Sequence, residues 1–137
     1  MAHVTQKSRR RYGLETVEAA LIFPLLMLVI FGIVEYGWMF IKEHQITNIT
    51  RQAARMAATP DATTASVNAM VATMMQNAQI TGYGAPVYSP AITSAQPGQL
   101  ITVTITVPYS NVGLTRVPLL PLPASLQAQV AMNKEGP

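Results

Sequence analysis

The hydrophobic positions of the chain fall into three successive regimes. The first is continuous: Ala19 to Val34 is sixteen residues without a charge, and after Glu35 the run resumes from Tyr36 to Ile41. At 1.5 Å per residue, Ala19 to Ile41 covers about 33 Å, enough for a hydrocarbon core of about 30 Å. The second regime has helical spacing. In "IKEHQITNITRQAARMAATP", Ile41, Gln45, Ile49, Ala53, Met56 and Ala57 fall on one side, with His44, Asn48, Arg51 and Arg55 elsewhere. Pro60 and Asp61 end this pattern, so one helix of about 45 residues and about 68 Å is predicted to carry the apolar run outward.

A second helix is predicted in "DATTASVNAMVATMMQNAQI", where Val67, Met70, Val71, Met74 and Ala78 recur at helical spacing and Asp61 or Thr63 can cap the start. A methionine stripe can form an adaptable binding surface, but at this spacing it reads first as core. Gly82-Tyr83-Gly84 then breaks the chain. A lone G-x-G carries no nucleotide motif.

The third regime has period two. "LITVTITV" sets Ile101, Val103, Ile105 and Val107 against Thr102, Thr104 and Thr106, and "LQAQVAM" sets Leu126, Ala128, Val130 and Met132 against Gln127, Gln129 and Asn133. Both read as half-buried strands. Residues 86–93, with prolines at 86 and 90, read as a short edge strand. The connection "SNVGLTRVPLLPLPAS" is long for a hairpin; its Pro118-x-x-Pro121 reads as a stiff surface connection or a polyproline ligand, and its leucines as a docking patch. The expected class is α+β: a long N-terminal helix, then a second helix packed on a small antiparallel sheet of two to four strands.

Charge sharpens the picture of the first regime. Net charge is +3, but Lys7, Arg9, Arg10 and Arg11 supply +4 before the first acid, Glu15, and the remainder sums to −1. A nucleic-acid footprint needs basic residues spread over a folded face, so no nucleic-acid partner is expected. Arg51 and Arg55, one turn apart, suit a solvated face better than lipid phosphates or an acidic partner. The cluster before the apolar run has no counterpart just after it, where Lys42 is followed by Glu43, so the N-terminus is expected in the cytoplasm.

Candidate chemistry is sparse. Cysteine is absent, and the chain has two histidines and one aspartate. His3 and His44 lie on opposite sides of the apolar run, and His44 reads as a solvated interfacial residue. No metal, cofactor or enzymatic activity is expected, because no nucleophile has a plausible base and no phosphate loop is present.

Two bland readings of the N-terminus compete. A cleaved secretory signal has a shorter apolar stretch and an A-x-A site soon after, whereas the first such spacing here is near Ala54 to Ala58. An uncleaved signal anchor explains span and orientation but not Glu18, because a carboxylate entering hydrocarbon is costly unless paired or held at the interface. Glu15 and Glu18 also read as interfacial acids favoured by the helix dipole. Pro24 removes the hydrogen bond to the carbonyl of Ala20, so a kink or local melting is expected there. Glu35 lies about 25 Å beyond Glu18, beside Tyr36 and Trp38, and reads either as interfacial, within an aromatic belt, or as an intersubunit partner.

Gly13 followed by Glu18 at the fifth position and then an apolar helix, "GLETVEAALIF", resembles the type IV prepilin processing site. "VEAALIFPLLMLVIFGIVEYG" more specifically resembles TadE-like pseudopilins of tight-adherence (Flp) pilus systems. The resemblance covers residues 9–58 and, at the C-terminus, "VAMNKE". One departure is Ala19, where the family usually has an aromatic residue. The family's short major pilins stop soon after the helix, so a minor pilin or pseudopilin fits this longer chain better.

The resemblance implies cleavage between Gly13 and Leu14 by a prepilin peptidase on the cytoplasmic side. Leu14 would then carry a new α-amine, one helical turn from Glu18. It also implies that Glu18 of an incoming subunit pairs with the Leu14 amine of a neighbour, which would offset its desolvation. The expected organisation is a basic leader at 1–13, a pilin-like helix at 14–58 with its membrane part at about 19–41, and an extracytoplasmic head at 61–137. Expected partners are the membrane, the prepilin peptidase, sister pilin subunits and the assembly platform, at a bacterial inner membrane with the C-terminal domain periplasmic. The alternative is an uncleaved, single-pass anchored binding domain.

Overall fold

A computed structural model describes residues 9–115 and 120–136, without the side chains of residues 9–12 and 14. Lys7, Pro118 and the side chains of Arg9, Arg10, Arg11 and Leu14 therefore lie outside the described residues. The chain is α+β. Helix α1 spans Arg9–Ala58, α2 spans Thr64–Asn77, and β1 (Val87–Ser89), β2 (Leu100–Pro108) and β3 (Ser125–Asn133) form one antiparallel sheet in the order β1-β2-β3.

The first half of α1 is exposed on almost every side. Leu21 is 76% exposed, and Ile22, Phe23, Leu25, Leu26, Val29 and Ile33 are exposed too. A helix apolar all round belongs in lipid or against other subunits, and this one is long and apolar enough to cross a membrane. It stays helical through Pro24, so no turn is melted there.

Past Phe31 the same helix acquires an inside. Gly32, Glu35, Lys42, Ile46, Ile49, Thr50, Ala53, Ala54 and Ala57 are buried, at spacings of three, four and seven that set them along one stripe. Compared with the expected stripe, the buried side is rotated by about one residue: Ile46 is buried, whereas Ile41 is exposed. Alanines at 53, 54 and 57 let neighbours approach the helix closely, and α2, β2 and β3 all contact it.

Helix α2 starts at a reciprocal capping box. The Thr63 hydroxyl accepts from the Ser66 N–H at 3.1 Å, and the Ser66 hydroxyl oxygen accepts from the Thr63 N–H at 3.2 Å. Its core positions are Val67, Val71 and Met75, with Met70 and Met74 half-buried beside them. Strand β2 alternates as its sequence requires, with Ile101, Val103, Ile105 and Val107 all fully buried. It pairs with β3 over its whole length, Leu100 opposite Asn133 and Pro108 opposite Ser125. β1 covers three residues and pairs Val87 with Thr104. One core joins α1, α2 and the sheet.

Candidate functional site

The acidic residues of α1 face two different surroundings. Glu15 and Glu18 are exposed on the apolar half, and among the described residues neither carboxylate makes a hydrogen bond or ion pair. Gly13 is exposed, and α1 is helical on both sides of the Gly13–Leu14 bond. Nothing lies within 4 Å of where a Cβ on Gly13 would sit, so its surroundings leave room for a side chain.

Glu35, seventeen residues further on, is completely buried. It accepts four hydrogen bonds, all from one short segment of the head. Oε1 receives the Tyr109 hydroxyl at 2.6 Å and the Leu114 N–H at 3.2 Å. Oε2 receives the Thr115 N–H at 2.7 Å and the Thr115 hydroxyl. A buried carboxylate is tolerable when its lone pairs are filled by well-placed donors, and charge-assisted bonds of this kind are the stronger class. Burial pushes the Tyr109 hydroxyl above the usual tyrosine range, and its bond to Glu35 and that carboxylate's charge push in the same direction.

The two aromatics beside Glu35 hold the same loop. The Tyr36 hydroxyl donates to the Pro121 carbonyl at 2.8 Å, and Trp38 Nε1 donates to the Val112 carbonyl at 2.7 Å. Glu35, Tyr36 and Trp38 thus contact the chain's own head, through residues 109–115 and Pro121. Among the described residues of that loop, α1 partners the N–H groups of Leu114 and Thr115 and the carbonyls of Val112 and Pro121. A 3-10 turn at Tyr109–Asn111 begins the loop, and Asn111 closes it against the head by donating to the Gly82 carbonyl at 3.0 Å. Gly82 has φ +64°, and a Cβ there would lie 2.3 Å from Asn111 Nδ2, so this turn requires glycine.

Two buried lysines complete the attachment, and both sit at helix ends. Lys42 Nζ lies 5.0 Å from the centroid of the Trp38 ring and donates at 2.9 Å to the carbonyl of Ala78, the C-cap of α2. Helix α2 has no basic residue in its own last turn. Lys134 Nζ donates to the carbonyls of Thr59 at 2.6 Å and Ala57 at 3.3 Å, and the Glu135 N–H donates to the Ala58 carbonyl at 2.8 Å. A cation at a helix C-terminus meets both orphan carbonyls and the negative end of the dipole. Neither lysine stood out in the sequence, since their acceptors lie 36 and 75 or more residues away.

No group of three or more His, Asp or Glu residues that could hold a metal occurs among the described residues. An open groove of about 600 Å³ runs beside Leu28, Val29, Gly32, Ile33, Tyr36 and Phe40, with Leu120 of the head on its other side. Its lining is almost wholly apolar. What the arrangement provides is a mount: a folded head fastened by a shared core and polar contacts to the C-terminal half of a helix whose N-terminal half is exposed and largely apolar.

The family model described as TadE-like protein matches residues 13–55. The match begins at Gly13, takes in Glu18, Pro24 and the Glu35-Tyr36-Trp38 group, and ends within the buried stripe of α1. No curated protein and no solved structure matches the chain. The matched segment is consistent with a TadE-like protein of the tight-adherence pilus system, and the apolar half of α1 with anchoring in a membrane.

Proposed function

We propose that the chain is a pseudopilin or minor pilin of a tight-adherence pilus, anchored by α1, processed after Gly13 by a prepilin peptidase, and used in pilus assembly or adhesion. Its role is structural rather than catalytic. Its C-terminal head lies on the extracytoplasmic side, consistent with the basic cluster at Lys7, Arg9, Arg10 and Arg11 preceding the span. The observation that supports this best is the division of α1. One helix presents an exposed apolar half, with Glu18, which has no partner among the described residues, near its start, and a second half joined to a head. Such a subunit has its lateral contacts still to make. In this reading Glu18 meets the Leu14 amine of a neighbouring subunit, because a carboxylate within an apolar array needs a cationic partner.

The second reading, an uncleaved anchored binding domain, draws support from α1 being helical across the Gly13–Leu14 bond, which the peptidase would have to unwind. Intact mass and N-terminal sequence of protein recovered from membranes, with and without the peptidase, separate the two. A chain starting at Leu14 only when the peptidase is present supports processing; retention of residues 1–13 under both conditions rejects it. Glu18→Ala is expected to insert and be cleaved normally but to lose assembly. Wild-type pilus formation by that variant would rule out the pairing.

A further inference from the structure

We infer that the underside of the head, at Leu114 and Leu120, is seated in the headgroup–acyl boundary of the outer leaflet, and that α1 crosses the hydrocarbon from about Leu14 to Val34. The inference rests on the membrane anchoring proposed above and adds to it the depth at which the head meets lipid.

The depth follows from the contacts of the head. The loop that fills Glu35 uses backbone N–H groups of Leu114 and Thr115, and Tyr36 takes the backbone carbonyl of Pro121. Leu120 reaches one turn lower, its Cδ2 3.5 Å from where a Cβ on Gly32 would sit. Irregular, lipid-exposed backbone is not tolerated within hydrocarbon, since its polar groups have no water to satisfy them. The hydrocarbon must therefore end at about the level of Val34. Counting back about 30 Å at 1.5 Å per residue reaches Leu14, which sets Glu15 and Glu18 in the first turn at the cytoplasmic boundary, where carboxylates can be held at the interface. This differs from the span of about 19–41 suggested by the apolar run alone. Tyr36 to Ile41 then stand above the hydrocarbon, where the interface extends a further 5–10 Å or so.

The chemistry of that zone fits lipid rather than bulk water. Leu114 is 50% exposed on the loop, and Phe40 and Ile41 are 55% and 51% exposed on the helix beside it. Leu120 lines the apolar groove with Ile33 and Phe40, and that surface continues without a break into the bare half of α1. Tyr36 and Trp38, each with a polar tip bonded to the head and an apolar body, are the residue types that prefer this depth. The occupant of the surface is therefore the upper acyl chain and glycerol region of the membrane that already holds α1.

The natural absence of cysteine makes the test direct. Leu114→Cys, Leu120→Cys, Val29→Cys and Ala72→Cys, each in the full chain, are labelled with an environment-sensitive fluorophore. The labelled chains are then reconstituted into phosphatidylcholine vesicles carrying a spin label either on the headgroup or midway along the acyl chain. At 114 and 120 the expected result is blue-shifted emission, quenched at least about twofold more by the headgroup label than by the deep label. Val29 should show the opposite ratio, and Ala72, exposed on α2, neither effect. Trp38, the sole tryptophan, gives a label-free check and should also respond more to the shallow quencher.

Water-like, unquenched emission at 114 and 120 with Val29 quenched would leave the anchor standing and overturn the seat. Blue-shifted emission at 114 and 120 that neither lipid quencher reaches would also overturn it, assigning the surface to a second copy of the chain. An unquenched Val29 would remove the anchoring reading and the seat together.

Discussion

The two halves of α1 are one unbroken helix with two different kinds of surface. Residues 15–31 are exposed nearly all round and, past Glu15 and Glu18, carry mostly large apolar side chains, Leu, Ile, Phe and Val. Residues 32–58 have one buried stripe, and beside Ile46 and Ile49 most of its members are small or polar: Ala53, Ala54, Ala57, Thr50, Lys42 and Glu35. In lipid, hydrophobicity on every face is what keeps a helix in place, and no face need fit anything in particular. In the head, shape and hydrogen bonding decide, and a carboxylate can be more deeply buried than any leucine of the inner half. Hydrophobicity therefore marks the half that is not packed within the chain, and its partial loss marks the half that is.

The largest expected effect breaks this contrast at its centre. Ile105→Ala empties a fully buried site on β2 and is expected to cost about 4 kcal/mol. Leu25→Ala, of similar chemistry on the bare half, is expected to leave the unfolding of the head within about 0.5 kcal/mol of the parent. Thermal unfolding of both full-length variants in detergent, followed by near-ultraviolet circular dichroism, checks the pair. Equal losses would mean that the inner half also packs against the head.

Glu35→Gln tests the polar anchor. An amide keeps the shape but turns two donors toward donors that already point inward, so at least one of the Tyr109 and Thr115 groups loses its acceptor. A loss of about 2 kcal/mol is expected, with hydrogen exchange quickening at Leu114 and Thr115 before it does in β2. The same change should let Tyr109 ionise at lower pH, since it removes a charge that raises this group. The sign can be checked by alkaline absorbance titration. In the parent, the raised Tyr109 hydroxyl is a contribution present below the ordinary tyrosine range and lost as pH climbs through and beyond it.

The smallest effect sharpens the comparison from the head's side. Thr63→Ala removes one half of the capping box of α2 and is expected to cost about 1 kcal/mol, visible as earlier exchange in residues 64–67 with the bare half of α1 unaffected.

Much of this architecture was legible because local pattern and burial coincide. β2 alternates Ile and Val with Thr, and its buried face is the one the alternation marks. Thr63, one of two candidate caps, caps α2 because Ser66 stands three residues on and can return the bond. The stripe of α1 shares Ile49, Ala53 and Ala57 with the one its apolar pattern marks but is turned by about a residue, because Lys42 looks like a surface residue. Its stem and amine are in fact covered by Trp38 and the end of α2. Met75, rather than Met74, is fully buried for the same kind of reason: two adjacent methionines are indistinguishable until the facing helix is known. The Glu35 site was illegible in a stronger sense. Its donors are 74 to 80 residues away, on a loop with no periodicity, and two of the four are backbone groups that no side-chain pattern reports.

The fastening of the head at two levels of α1 also has a mechanical meaning. Its lower bolt is Glu35 with the 109–115 loop; its upper bolt is Lys134 and Glu135 on the last carbonyls of the helix. The bolts are twenty-three residues apart, or about 34 Å along the axis. Between them, tension applied along the subunit is shared by two members in parallel, the helix and the sheet-bearing head. No turn of that helix can lengthen without shearing one of the bolts. Among the described residues no such splint exists below Glu35, so a pull on the subunit finds its compliant element in the exposed half of the helix, at the level of Pro24.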